Sequence, residues 1–319
     1  MTGPGLWQLY RGDGVPRAMT MSEAPPWRRF KGTVVRERTI PELEPAAWFQ
    51  TTPEMVDAVN AALHLRRPLL VTGRPGSGKS TLIESVASEL RLGEVLRWHI
   101  TSSSTLREAL YSYDALGRLQ EFQVTGSAPD IGSYLRLGPL GTALLPTATP
   151  RALLVDEIDK SDVDLPSDLL NVFERGEFQI PELARLGQDS VDIQEDGGDE
   201  RFPITDGKVT CLQFPFVVLT SNGERDFPPA FLRRCIQFRM PDPDPLLLRR
   251  IVVAHLGEGV AEAAEALIED FSERAGANHA QATDQLLNAI FVVTKTTPVP
   301  EERERIVRML LKELESDLL

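Results

Sequence analysis

The chain has 319 residues, a net charge of −13 and a hydrophobic fraction of 42%, enough to bury a full core as two domains or one domain with an appendage. So acidic a surface repels phosphate backbones at long range, which argues against nucleic-acid binding as a main activity, although a local basic pore stays open. Two cysteines, Cys211 and Cys235, are too few for a disulfide framework or a zinc site, and with no secretory signal and no run near the ~20 apolar residues of a membrane helix, a soluble cytoplasmic protein is expected.

Residues 1–45 are rich in Gly, Pro and charge and lack a steady period, which predicts a loose N-terminal arm. Trp7, Trp27 and Phe30 are the residues of that arm able to dock on the body or on a neighbour. "TTPEMVDAVNAALHL" then reads as a helix, with Thr51 or Thr52 as cap, Pro53 in the first turn, and Val56, Val59 and Leu63 on one face. "RPLLVTG" is a short buried strand and "KSTLIESVASELRL" a helix. A strand over 95–100, a mixed stretch with turns over 111–138, a strand over 152–157 and a helix in "SDLLNVFERG" come next. Residues 181–210 are polar and predict a solvated loop or hairpin. "FPFVVLTSN" and "CIQFRM" complete five strands. Strands buried on both faces and separated by helices imply an α/β fold with a parallel sheet. After "PDPDP" at 241–245 the strands stop and four helical stretches follow. The expected domains are the arm (1–45), an α/β core (46–241) and a small all-α domain (242–319).

The segment "GRPGSGKST" carries the first chemistry. Gly73, Gly78, Lys79 and Ser80 fit G-x-x-x-x-G-K-[ST], between a strand and a helix. Glycines let backbone N–H groups turn inward around phosphate oxygens, and the helix adds its free N-terminal donors. Gly73, Arg74, Pro75, Gly76, Ser77, Gly78, Lys79, Ser80 and Thr81 are therefore the expected nucleotide-binding residues. Lys79 supplies a point charge to the β- and γ-phosphates, and Ser80 a hydroxyl to Mg²⁺.

Hydrolysis also needs a carboxylate for the metal and a group to orient water. "RALLVDEIDKSD" ends a buried strand at Asp156, which would hold Mg²⁺ through its water shell, beside Glu157, which would polarise the attacking water. Asn222 ends another buried strand, where its amide can reach the γ-phosphate or the water. Arg233 and Arg234 follow "FPPAFL" on an exposed turn; they are either solvated or, in a ring of subunits, reach the neighbour's γ-phosphate.

In this order over residues 51–240, these elements resemble the AAA+ ATPases, and more narrowly the MoxR family. The stretches that carry the resemblance are "TPEMVDAVNAALHLRRPLLVTGRPGSGKS", "WHITSSSTLREALYSYDALGRLQ", "GPLGTALLP", "LLVDEIDKSD", "GEFQIPE" and "TSNGERDFPPAFLRRC". The resemblance implies a five-stranded core with a helical lid, and a ring, commonly a hexamer, with ATP between subunits. It implies Lys79 as the Walker A lysine, Asp156 and Glu157 as Walker B, Asn222 as sensor 1, and Arg233 or Arg234 as the arginine finger. It also implies two insertions facing the ring's pore, about 111–128 and 177–213. One departure is clear. Related ATPases often carry a basic sensor-2 residue at the start of the lid's third helix, but no Arg or Lys occurs from Ala275 to Val293, and His279 is the only candidate.

The leading expectation is an ATP-driven, chaperone-like remodeller of a protein partner, since MoxR-like proteins often act with a von Willebrand A-domain protein. The alternatives are a nucleic-acid motor, which needs a basic aromatic-lined pore, and a nucleotide-gated scaffold that rarely hydrolyses. Tyr111, Tyr113, Arg118 and Phe122 suit the former, but Asp114 and Glu121 dilute its charge.

Overall fold

The computed structural model describes residues 7–34, 36, 38, 40, 41, 43, 48–187, 190–242, 244–276, 283–296 and 300–311. Eleven strands occur among them: β1 (Leu69–Thr72), β2 (Leu96–His99), β3 (Tyr111–Tyr113), β4 (Leu135–Leu137), β5 (Ala152–Asp156), β6 (Glu177–Gln179), β7 (Ser190–Gln194), β8 (Arg201–Thr205), β9 (Lys208–Thr210), β10 (Phe216–Ser221) and β11 (Ile236–Arg239). Five of them form one parallel sheet in the order β11-β1-β10-β5-β2. These are the five strands expected from the sequence.

The apolar runs are continuous because both faces of this sheet are covered. Successive side chains of a strand point to opposite faces. Leu69, Val71, Leu154, Phe216 and Val218 accordingly pack into one core, with the helices Pro53–Leu65 and Lys79–Glu89. Leu70, Leu153, Val155, Val217 and Leu219 pack into the other, which includes the helix Leu165–Arg175. The first helix begins as its sequence suggests: Thr52 caps it by accepting from Met55 N at 3.3 Å, and Pro53 opens it. It stops where Arg66 turns left-handed, at φ 54°.

A second sheet, unforeseen as a unit, stands on the other core in the order β3-β4-β7-β8-β9-β6. It takes β3 from the first expected insertion and β6 to β9 from the second, but β4 lies beyond the first. Of the loop or hairpin expected over 181–210, β7 and β8 form the hairpin, but it is not simply solvated: Val191, Ile193, Phe202, Ile204 and Val209 alternate inward and are buried. A buried ion pair, Arg151 to Glu195 at 2.8 Å, fastens this hairpin to the segment that leads into β5. The helix Ala115–Thr125, between β3 and β4, has no buried residue and exposes Leu116, Leu119, Phe122 and Val124.

The C-terminal part is helical throughout its described residues. Where four helical stretches are expected there are five: Pro245–Leu256, Glu258–Ala263, Glu265–Gly276, Thr283–Thr296 and Pro300–Leu310. The extra piece arises because Gly257, at φ 92°, breaks the chain between the first two helices. Leu248, Val252, Phe271, Leu286 and Ile290 form their separate core.

The N-terminal segment departs from expectation. The described residues 7–34 are a strap on the core rather than a loose arm. Tyr10 is fully buried, and its hydroxyl lies 2.8 Å from Ser85 Oγ on the helix Lys79–Glu89. The buried Asn60 amide accepts from Leu9 N and Tyr10 N at 2.8 and 3.0 Å and donates to Tyr10 O at 2.8 Å. Glu89, also buried, accepts from Arg11 N at 2.7 Å and from Arg17 Nη1 at 2.6 Å. Burial pushes its carboxyl above the usual range against the pull of these donors. Further along, Arg28 donates to Phe173 O at 2.9 Å and lies over the Phe214 ring, and burial lowers its pKa to about 10. Trp7 stacks on His64 and Phe30 on Phe214, whereas Trp27 stays exposed. Composition misleads here because each anchor is a single residue whose partner lies tens of positions away.

Tyr10→Ala should lower the unfolding free energy by about 3–5 kcal/mol, the range for truncating a buried aromatic. Urea unfolding measures this, and limited trypsin digestion should show the strap released at Arg11 and Arg17.

Candidate nucleotide site

In a parallel sheet the strand C-termini share one edge. Here the ends of β1, β5 and β10 bring Gly73, Asp156 and Asn222 together. The chain leaves β1 through Gly73 (φ 156°), Gly76 (φ 69°) and Gly78 (φ 84°) and enters the helix at Lys79. Gly73 is needed on two counts, since its φ is unfavourable for other residues and a Cβ there would sit 2.9 Å from Met240 Cβ. Gly78 supplies the left-handed cap from which the helix starts. The first N–H groups of that helix have no intrahelical acceptor. Ser77 Oγ is buried there with no partner.

Lys79 is 8% exposed, and its ammonium is held by three oxygens: Gly73 O, Arg74 O and Asn222 Oδ1, each at 2.8 Å. Burial lowers its pKa, and the charges of Asp159, Asp156 and Glu157 oppose that shift.

The register of β5 against β10 places Asp156 beside Thr220. Asp156 Oδ1 accepts from Thr220 Oγ1 at 2.6 Å and from Ser80 Oγ at 2.9 Å. The Thr220 hydroxyl in turn accepts from Glu157 N at 2.9 Å. One hydroxyl thus fixes both acids. Glu157 itself is left-handed (φ 62°, ψ 47°), a conformation that non-glycine residues adopt at a cost of about 1–3 kcal/mol and mostly at functional sites. Its Oε2 lies 2.9 Å from Lys160 Nζ and 3.7 Å from His99 Nε2. Buried Asp159 accepts from Asn222 N at 2.9 Å and Glu224 N at 3.1 Å, which orients the asparagine.

Lys79, Ser80, Asp156, Glu157, Thr220 and Asn222 line a cleft of about 440 Å³. The same cleft is lined by Trp48, Phe49, Met55, Met240, Leu247 and Ile251, with Phe49 and Met240 lying against the glycine-rich loop. Trp48 meets His255 with ring centroids 5.2 Å apart, and burial lowers the His255 pKa. The lid helix Thr283–Thr296 adds Thr283, Asp284 and Leu287. An acidic residue, Asp284, therefore stands in the described part of the region where a basic sensor-2 residue was sought; His279 lies outside the described residues.

Of the expected nucleotide-binding residues, Pro75 through Thr81 line the cleft together with Asp156, Glu157 and Asn222. Gly73 and Arg74 do not; they offer their carbonyls to Lys79, and the Arg74 side chain pairs with Asp242 at 3.3 Å. Arg233 and Arg234 are also away from this cleft. Arg234 is bound to Glu174 and donates to Ala230 O at 3.1 Å, whereas Arg233 is exposed. Thr220, Asp159, Trp48 and His255 escape the sequence reading. Only Thr220 leaves a signal, as the first hydroxyl residue after the apolar run of β10.

Among the described residues no helix is long and apolar enough to cross a membrane. Residues 68–235, just over half of the chain, match the family model described as the AAA domain, dynein-related subfamily. No curated protein matches the chain. The matched span opens just ahead of β1 and ends as β11 begins, so it contains the whole glycine-rich loop and both strand ends that meet it. The chain belongs to the dynein-related subfamily of AAA domains, and is thus a nucleotide-binding AAA+ ATPase with a helical lid.

Proposed function

We propose that this chain is a Mg²⁺-dependent ATPase of the MoxR-like kind that works as a homo-oligomeric ring, commonly a hexamer, to remodel a protein client. The observation that carries the reading is the meeting of Lys79, Ser80, Asp156, Glu157 and Asn222 in one cleft that also has apolar and aromatic walls. The residues suit the ligands. An orphan hydroxyl (Ser77), free helix-start donors and a buried ammonium fit phosphate oxygens. Trp48 and His255 give a base its flat walls.

Ser80 Oγ and the Asp156 carboxylate, 2.9 Å apart, are the hard oxygens that would hold Mg²⁺, directly and through water. When bound, the ion neutralises charge on the β- and γ-phosphates. Lys79 adds its charge to the same oxygens. Glu157 takes a proton from the attacking water as the water oxygen bonds to the γ-phosphorus and the bond to the β-phosphate oxygen breaks. Asn222 orients that water or the γ-phosphate. Thr220 keeps Asp156 and Glu157 in register. Arg233 is the better finger for a neighbour's nucleotide, because Glu174 already holds Arg234.

The helix Ala115–Thr125 and the β7–β8 hairpin are the parts that would face the pore. The exposed Leu116, Leu119, Phe122 and Val124 suit an apolar polypeptide segment better than a phosphate backbone. This favours a protein client, such as one carrying a von Willebrand A domain, over a nucleic acid.

Three experiments test this reading. Lys79→Ala should abolish detectable ATP binding, whereas Glu157→Gln should retain binding and lose turnover by about 10²–10⁴-fold, the range for a general base. Calorimetry and phosphate release measure the two, and full turnover in either variant overturns the assignment. Arg233→Ala should keep ATP binding but lower hydrolysis by about 10³-fold or more, as for a finger supplied in trans; a dilute monomer with full activity contradicts it. Thr220→Val should cut kcat by about 10²-fold at nearly constant ATP affinity, since it loosens both acids together.

A further inference from the structure

Pro25 and Pro26 set the N-terminal strap into a short 3₁₀ turn, Pro26–Arg28, whose last side chain is buried. The Arg28 guanidinium bridges two elements. Nε and Nη2 both donate to Arg66 O, the former at 3.0 Å, just past the helix Pro53–Leu65. Nη1 donates to Phe173 O at 2.9 Å, near the end of the helix Leu165–Arg175. Each gripped residue is followed in the chain by one that holds the arginine pair before β11. Arg67 Nη1 donates to Arg233 O at 3.1 Å, and Glu174 is paired with Arg234. We propose that Arg28 is a positioning residue for Arg233: through Arg66–Arg67 and Phe173–Glu174 it fixes the backbone that presents this arginine to a neighbouring subunit, while Arg234 is kept back. The inference rests on the reading of Arg233 as the finger.

Three observations support it. First, Arg28 is 8% exposed, and among the described residues no carboxylate pairs with it. Its surroundings are carbonyls and the rings of Phe30 and Phe214, at 5.2 and 4.8 Å from the ring centroids. A charge buried on dipoles and ring faces is a poor source of stability, but a planar fork suits the holding of two carbonyls at a set separation. Second, the grip is reciprocal. Arg66 is left-handed, a conformation that a non-glycine residue keeps only when its surroundings impose it. Its own guanidinium donates to Ser22 O of the strap at 2.6 Å and to Leu63 O at 2.5 Å. Strap and helix end therefore hold each other at two points, which sets where Arg67 begins. Third, the finger backbone is seated on the next residues of the same segment. Ile236 N, opening β11, donates to Pro68 O at 2.8 Å, so Arg67 and Pro68 hold both ends of the stretch from Arg233 to Ile236. Arg28, Arg67, Glu174 and Arg234 line one hollow of about 370 Å³, and none of the four lines the nucleotide cleft.

In the full chain, Arg28→Met should leave the Kd for ATP unchanged and lower kcat by about 10- to 100-fold, the scale for a catalytic group displaced by ~1 Å. Arg28→Lys keeps the charge but not the fork and should recover little of that loss. Co-assembly separates a misplaced finger from a damaged site. A ring of Arg28→Met and Glu157→Gln subunits contains sites where an intact Glu157 meets a well-placed Arg233 from next door. It should turn over ATP faster than either variant alone. A slowed Arg28→Met that mixing does not relieve overturns the proposal, as does an Arg28→Met with the kcat of the unsubstituted chain. If Arg28→Met does not fold, Arg67→Met, which removes the direct hold on Arg233 O, must show the same slowing and the same relief; failure of either overturns the proposal. Full turnover in Arg233→Ala would mean that the reading of the finger has failed. A slow Arg233→Ala beside a normal Arg28→Met leaves that reading standing and removes only the clamp.

Discussion

A single buried ammonium joins three parts of the core. Lys79 Nζ binds two carbonyls of the glycine-rich loop and the amide oxygen at the end of β10. A lysine this buried is tolerated only while its charge is compensated. Its three contacts are dipoles, and the nearby carboxylates of Asp156, Glu157 and Asp159 act on it through space. An anion that offers full charge at the loop competes directly with Asn222 for the ammonium. The loop, the Asn222 amide and the acids are thereby linked through short hydrogen bonds of 2.6–2.9 Å.

The sheet explains why so few residues suffice. Parallel pairing of β1, β10 and β5 in fixed register lands three strand ends on one edge. A one-residue slip would turn Asp156 away and bury Glu157 in the core. The two cores on either side prevent it, because Leu153 and Leu154 must enter different ones. The apolar runs therefore do two jobs: they hold the sheet together and aim its carboxylates.

This is also why much of the site is legible in the amino-acid sequence. Short apolar runs ending in Gly73, Asp156 and Asn222 announce both the strand and the residue delivered at its tip. The helix Pro53–Leu65 is legible from its cap and first-turn proline. The strap is not, because Tyr10 meets Asn60 across 50 residues and Arg11 meets Glu89 across 78, and nothing local marks them. The second sheet escapes for a similar reason. Its strands β3 and β4 come from one stretch of chain and β6 to β9 from another, joined in register by one parallel pair, Arg136 opposite Gln194. Periodicity shows a strand's faces but not its partner in another insertion. Thr220 and Asp159 act on other side chains and backbone rather than on a ligand, so no motif names them.

Charge at the cleft completes the argument. Among the described residues that line it, Lys79 is the one lysine and no arginine appears, while Asp156, Glu157 and Asp284 are acids. A triphosphate with its metal still carries negative charge, and that charge concentrates on the γ-phosphate as the transferring group loosens. The lid contributes an acid there and the Arg74 side chain pairs with Asp242 instead, so the described part of the chain leaves the γ-phosphate with little cationic support. On the proposed reading the missing charge comes from outside, from the Arg233 of a neighbour, a residue that is exposed and does not line its own cleft. Assembly would thus supply the cation that the single chain lacks, and hydrolysis would wait for it.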